Sequence, residues 1–168
     1  PDGQAPGLEE GIRTVKLIEA AGGLDFLNVM AGRANTDLGL ASWVPPMGQG
    51  AAAHLEIAGQ VKKAVSLHIF HAGGIADIAT ARYAVEDGLL DMVGMTRAHM
   101  ADPYLVTKLI DGREEEIRPC VGLGYCVDRV NRSADALCGH NPATGREQAL
   151  PQVISRSSGP QRRITIIG

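Results

Sequence analysis

Leu67-His68-Ile69-Phe70-His71-Ala72-Gly73-Gly74 and, one helix later, Leu90-Asp91-Met92-Val93-Gly94-Met95-Thr96-Arg97 form the stretch whose reading decides the fold. Leu67–Phe70 reads as a short apolar strand, and His71–Gly74 as the turn that leaves it. A helix is expected over Ile75–Asp87, stopped by Gly88. Leu90–Met95 then reads as the next strand, with Thr96-Arg97 at its C-terminal end. Strand, helix and strand in this order imply a right-handed crossover and parallel pairing.

Two parallel architectures compete here, an open doubly wound sheet and a closed (βα)8 barrel. Hydrophobic period does not separate them, but the loops do. Gly73-Gly74 carries no Cβ, so its amides are able to approach a phosphate closely. Arg97 stands at the matching place one strand later. A phosphate held by the last two βα loops is the usual arrangement of the barrel. Taken singly, Gly73-Gly74 reads equally as a plain turn and Arg97 as a surface residue. Their separation by one helix joins them.

The same unit repeats upstream. A helix is expected over Leu8–Ala21, with Leu8, Ile12, Val15 and Ile18 on one stripe and Gly22-Gly23 as its stop. Leu24–Met30 is the next strand candidate. A long loop rich in glycine and proline follows, through Trp43-Val44-Pro45-Pro46. The next helix is expected over Ala51–Val65, on a stripe of Leu55, Ala58, Val61 and Val65. Downstream, a last helix is expected over Pro103–Asp111.

Composition bounds the function classes. The 168 residues are 45% hydrophobic, enough for a core in about one domain. Sixteen Lys and Arg against nineteen Asp and Glu leave no basic stripe for nucleic acid. No apolar run approaches a membrane span, and Pro1-Asp2-Gly3-Gln4 lacks the pattern of a signal peptide. A cytoplasmic location, a small-molecule substrate and a homo-oligomer are the corresponding expectations. Three cysteines, an odd number, argue for metal or redox use over a disulfide framework.

The runs Asp91-Met92-Val93-Gly94-Met95-Thr96-Arg97-Ala98, Ala101-Asp102-Pro103 and Ile117-Arg118-Pro119-Cys120-Val121-Gly122 resemble the old-yellow-enzyme superfamily. The likeness is to its trimethylamine dehydrogenase and 2,4-dienoyl-CoA reductase branch. Tyr125-Cys126-Val127-Asp128-Arg129 and Asn141–Glu147 are most similar to the N-methylproline demethylase group. The resemblance implies the C-terminal part of an FMN-binding (βα)8 TIM barrel over residues 1–118. It implies an iron–sulfur segment over 119–158, and over 159–168 the first strand of a truncated dinucleotide-binding domain. That strand, Arg162–Gly168, ends on what would be the first glycine of the Gly-rich turn. FAD and NAD(P)H are expected on the remainder of that domain. Earlier barrel strands and most catalytic groups lie outside the chain on this reading, which therefore expects a fragment inactive by itself.

The resemblance also assigns candidate site residues. FMN would be held by Gly73, Gly74, Thr96 and Arg97, with Met30 at the flavin ring. Gly74 stands where the family often has an arginine, which leaves Arg97 as the chief charged anchor. Trp43 reads as one wall of a cage for a methylated amine or, equally, as loop packing. Val130 occupies the place of a second cage tryptophan. His71 reads either as a polarising group or as a structural histidine. Cys120, Cys126 and Cys138, spaced C-x5-C-x11-C, are the cluster ligands, and Leu123 stands where the family has a fourth cysteine. A three-iron cluster, a four-iron cluster completed by another ligand such as His140, a Cys3His zinc site and three inert thiols all remain open. The activity expected is FMN-dependent oxidative N-demethylation of a methylated amino acid or amine. NAD(P)H-dependent reduction of an enoyl thioester and a non-catalytic role are the alternatives.

Overall fold

The computed structural model describes residues 7–167. The leader reading at Pro1–Gln4 and the role given to Gly168 lie outside the described residues. Three parallel strands, β1 (Phe26–Asn28), β2 (His68–His71) and β3 (Met92–Val93), form one sheet in the order β1-β2-β3. Each neighbour in the sheet is also the next strand in the chain. A doubly wound sheet reverses its order at a switch point, whereas successive barrel strands keep theirs; the observed order has no reversal.

The register explains which side chains face which layer. Leu27 pairs with Ile69, and both join a core with Leu55, Ala58 and Val61 of α3 (Leu55–Ala64). Ile75, Ala84 and Leu90 complete that core, and Ile69 is fully buried in it. One residue along, side chains point to the other face. There Phe26 is 51% exposed and Met92 49%, so among the described residues that face is uncovered. Asp91 locks the sheet edge: its carboxylate accepts from the Ile69 amide at 2.7 Å and from Lys62 Nζ at 2.6 Å.

Caps and prolines set the helix boundaries. The first helix, α1, runs over Leu8–Ala21 as its stripe predicts, and Leu8, Ile12 and Val15 pack against the core. The loop that follows β1 holds a helix absent from the sequence expectation, α2 (Asp37–Trp43). Thr36 Oγ1 caps it by accepting from the Gly39 amide at 3.0 Å. The helix expected from Ile75 begins instead at Ile78, as α4 (Ile78–Glu86), because Asp77 is its cap. Asp77 Oδ1 accepts from the Thr80 amide at 2.8 Å. The single helix expected over Pro103–Asp111 is preceded by another, giving α5 (Thr96–Ala101) and α6 (Leu105–Ile110). Between them the residue before Pro103 is extended, at φ −141° and ψ 99°, as a following proline favours.

Beyond α6, the chain packs back onto α5. Ile78, Ala98 and Leu105 form a second cluster that Ile117 and Cys120 join. Asp102, fully buried, accepts from the Tyr104 and Arg118 amides at 3.0 Å each and from Lys108 Nζ at 2.6 Å. Asn141, 1% exposed, donates to the Met100 carbonyl at 3.0 Å and accepts from Arg118 at 3.2 Å. Thr144 Oγ1 donates to the same carbonyl at 2.7 Å. A short helix, α7 (Tyr125–Asn131), lies inside this segment. Residues 161–167 carry neither helix nor strand, and Ile164, Ile166 and Ile167 are 80–93% exposed. A strand needs a partner ladder, and none is offered to these residues among those described. No described helix is long and apolar enough to cross a membrane.

Candidate functional site

At the C-terminal ends of the strands lies a cleft of about 220 Å³. Met30, Trp43, Gly73, Gly74, Thr96 and Arg97 all line it. The loops after β1 and β2, the end of α2 and the start of α5 therefore bring together residues up to 67 positions apart in the chain, from Met30 to Arg97. Pro45, Cys120 and Val127 share its wall.

Each glycine is there for a steric reason. Gly74 has φ +77°, a conformation that side chains with a Cβ rarely adopt. A Cβ on Gly73 would come within 2.4 Å of the His71 ring, and one on Gly94 within 2.6 Å of the Ala72 Cβ. The two amides of the turn are committed inside it. The Gly73 N–H donates to His71 Nε2 at 3.2 Å, and the Gly74 N–H to the Ala72 carbonyl at 3.0 Å. The glycines thus allow the turn to form and to pack on the His71 ring, where the sequence suggested donors.

His71 is fully buried against Gly73 of the turn. Its Nδ1 lies 2.7 Å from the Val29 carbonyl, so Nδ1 carries the hydrogen and Nε2 accepts. Burial holds its pKa below the ordinary value, the Val29 hydrogen bond opposes this, and His54 adds to it. A neutral imidazole clamps β1 to the glycine turn. Arg97 donates through Nη1 to the Pro45 carbonyl at 2.9 Å, one of the five N–H groups of its guanidinium. Nothing in the sequence marks Pro45 for this role, because the acceptor is backbone.

Behind the cleft is a second, smaller cavity. Cys120, Cys126, Cys138, His140 and Leu123 line it, together with Arg97. All three cysteines are free. Leu123 lies across Gly139, where a Cβ would come within 2.4 Å of Leu123 Cδ2. Gly122 and Gly124, at φ +67° and +79°, let the loop between Cys120 and Cys126 curl. Burial pushes the Cys126 thiol up, against the Val127 amide and the Arg97 charge. Among the described residues no group of three or more His, Cys, Asp or Glu is poised to hold a metal ion. That disfavours the mononuclear zinc alternative. The same finding bears on the iron–sulfur reading of Cys120, Cys126 and Cys138. Val130 is 56% exposed and lines neither cavity.

No family model matches the chain. Individual proteins do. The chain is 45% identical over 159 residues to a probable N-methylproline demethylase of Rhizobium meliloti (strain 1021), covering 95% of this chain and 23% of that protein. It is 46% identical over 161 residues to the multifunctional alkene reductase/demethylase OYE of Caballeronia cordobensis, again covering 95% and 23%. Among solved structures, a 2-naphthoyl-CoA reductase in complex with 2-naphthoyl-CoA superposes with a TM-score of 0.74 at 29% identity. That match covers 84% of this chain and 21% of the other. The chain thus spans less than a quarter of the length of these relatives. Over this stretch the chain is similar to the demethylase and the alkene reductase/demethylase that its sequence motifs resemble.

Proposed function

We propose that the protein carrying this chain is an FMN-dependent oxidoreductase that removes N-methyl groups from a methylated amino acid or amine. One observation carries the reading: Met30, Trp43, Gly73, Gly74, Thr96 and Arg97 share one cleft. The cleft residues fit a flavin mononucleotide in kind. Arg97 supplies the positive charge for a phosphate, Thr96 a hydroxyl, and Gly73 and Gly74 a stretch of wall without side chains. Met30 and Trp43 offer apolar walls, and the Trp43 face suits a cationic amine. When bound, the flavin would accept a hydride equivalent from the N-methyl carbon, leaving a substrate iminium that water hydrolyses to formaldehyde and the demethylated amine.

On this reading residues 1–118 are the C-terminal part of a TIM barrel and 119–158 an iron–sulfur segment. Residues 159–168 would begin a dinucleotide-binding domain that takes FAD and NAD(P)H. The donor set supports a cluster: three thiols and an imidazole share a cavity that no carboxylate lines. Arg97 and Cys120 line both cavities, so the flavin cleft and the cysteine cavity adjoin. Electrons leaving the cleft one at a time would have the shortest way out through Cys120.

The test is anaerobic titration of the flavin-loaded full-length protein with N-methylproline. Bleaching of the flavin bands with one formaldehyde released per flavin is the expected result. The second reading, reduction of an unsaturated thioester, draws on the likeness to 2-naphthoyl-CoA reductase. Under it the amine leaves the spectrum unchanged, NADH bleaches the flavin and an aryl-CoA thioester restores it.

A further inference from the structure

Trp43 owes its place at the cleft to little packing of its own helix. It ends α2, a helix of seven residues, and among the described residues of that helix none is buried. Leu38, on the same helix, is 81% exposed. Burial of an apolar stripe is what ordinarily seats a surface helix, so α2 depends on polar and steric ties. One of these is Gly32, at φ +98°, on which the Trp43 backbone lies directly. A Cβ there would come within 2.7 Å of the Trp43 nitrogen and 2.8 Å of its Cα. A second is the Arg97 hydrogen bond to the Pro45 carbonyl, two residues further on.

The third tie comes from His54. Its Nε2 lies 2.6 Å from the carbonyl of Ser42, the residue before Trp43. A carbonyl only accepts, so Nε2 carries the hydrogen and donates. Ser42 stands in the last turn of α2, where carbonyls have no partner within the helix. The imidazole thus caps the helix from outside, at the turn that bears the tryptophan. His54 itself is firmly based. It immediately precedes α3, whose Leu55, Ala58 and Val61 belong to the core, and its own carbonyl accepts from the Ala58 amide at 3.1 Å. Two residues earlier, the Ala52 amide donates to the Gly74 carbonyl at 3.1 Å. The segment 52–54 therefore reaches the glycine turn with one end and the Trp43 turn with the other.

We propose that His54 is a positioning residue for the substrate: by holding the Ser42 carbonyl it fixes the Trp43 ring relative to the glycine turn. The proposal rests on the demethylation reading above and deepens it by naming the group that sets the affinity for a cationic N-methylated amine. A ring face attracts such a cation only when the two are aligned and within about 6 Å of each other. Released at Ser42, the last turn of α2 keeps its backbone contact with Gly32 but is free to tilt, and the ring tilts with it. His54 does not line the cleft, so it acts through Trp43.

The experiment is rapid-mixing reduction of the flavin-loaded full-length protein by N-methylproline without oxygen. It separates the dissociation constant of the amine from the limiting rate of flavin reduction. His54→Leu is expected to raise the dissociation constant roughly threefold to tenfold, the range of one hydrogen bond, with little change in the limiting rate or in FMN content. His54→Phe, which fills the same space without a donor, carries the same expectation and serves where the leucine variant fails to fold. His54→Gln is expected to recover most of the loss, because its amide still donates to a carbonyl. In a Trp43→Ala background the His54 substitutions are expected to add little, since residues that act through one another are not additive. Unaltered binding without the donor, a glutamine variant no better than leucine, or losses that simply add would overturn the proposal and leave the demethylation reading standing. A wild type that N-methylproline does not reduce would overturn both.

Discussion

Arg97 and Cys120 stand on the common wall of the two cavities: each lines the cleft that holds the glycine turn and also the cavity of the three cysteines. The charge of Arg97 reaches far enough to lower the proton affinity of the Cys126 thiol against the effect of burial. A change at Arg97 should therefore be felt on both sides, with the larger effect in the cleft, where the proposed function puts a phosphate.

On the proposed function, Arg97→Ala removes a charge-assisted contact to the FMN phosphate. FMN affinity of the full-length protein should fall by about 1.5–3 kcal/mol, the worth of such a contact. Equilibrium dialysis or flavin fluorescence on dilution reads this directly. Retention equal to wild type would show that the phosphate sits elsewhere.

Gly73→Ala drives a methyl group into the His71 ring, which is within 2.4 Å of the new Cβ. The ring has no room to retreat, because it is fully buried and held by the Val29 carbonyl. Overpacking of this kind costs about 1–3 kcal/mol. Thermal release of flavin should come several degrees earlier. In a His71→Ala background the same substitution should cost little, and a strictly additive double variant would contradict the clash.

His71 also predicts a pH dependence. Its folded pKa is lowered chiefly by burial, so the unfolded chain takes up a proton first. The stability that His71 contributes is full above the ordinary histidine value of about 6.5. It declines as pH falls from there towards the lowered folded value. Protonation would put a second N–H against the Gly73 N–H, opening the turn. The difference in melting temperature between wild type and His71→Asn, followed from pH 7.5 to 5, should shrink on acidification. A constant difference would rule out this residue as the source.

Asp102 gives the opposite end of the scale. Burial alone would raise its carboxyl, but Lys108 and the amides of Arg118 and Tyr104 outweigh this and hold it below the usual range. Its contribution is present above the unfolded value of about 3.9 and is lost as pH falls through the lowered folded value. Asp102→Asn leaves Lys108 without its partner in a mostly buried site and should destabilise by about 3–5 kcal/mol. Adding Lys108→Met should recover part of the loss, as measured by chemical denaturation.

The parallel sheet and its helices were legible because hydrophobic period and glycine stops mark them along Leu8–Ala21, Leu55–Ala64 and His68–His71. Boundaries shifted where a cap outranked the apolar stripe, as at Asp77. The helix at Asp37–Trp43 was missed because glycine and proline around it read as loop, although Thr36-Asp37 is a capping signal in plain view. Residue type alone singled out Gly73, Gly74 and Arg97 as a pair of loops on one rim. It did not reveal that the turn amides are engaged within the turn, since that depends on the His71 rotamer. Nor did it reveal Pro45 or Val127, whose parts in the cleft are backbone and shape.

The helix α5 is only six residues long, yet both halves of the molecule are tied to it. Arg97 projects from its first turn into the cleft, and the carbonyl of Met100, three residues on, receives both Asn141 and Thr144 of the cysteine segment. A helix this short has no slack with which to absorb a displacement at one end. Should the cysteine segment shift, α5 would act as a lever and swing the guanidinium of Arg97 off its seat on Pro45. Disturbance at Cys120, Cys126 or Cys138 would then be transmitted to the opposite cavity, making the two sites one mechanical unit.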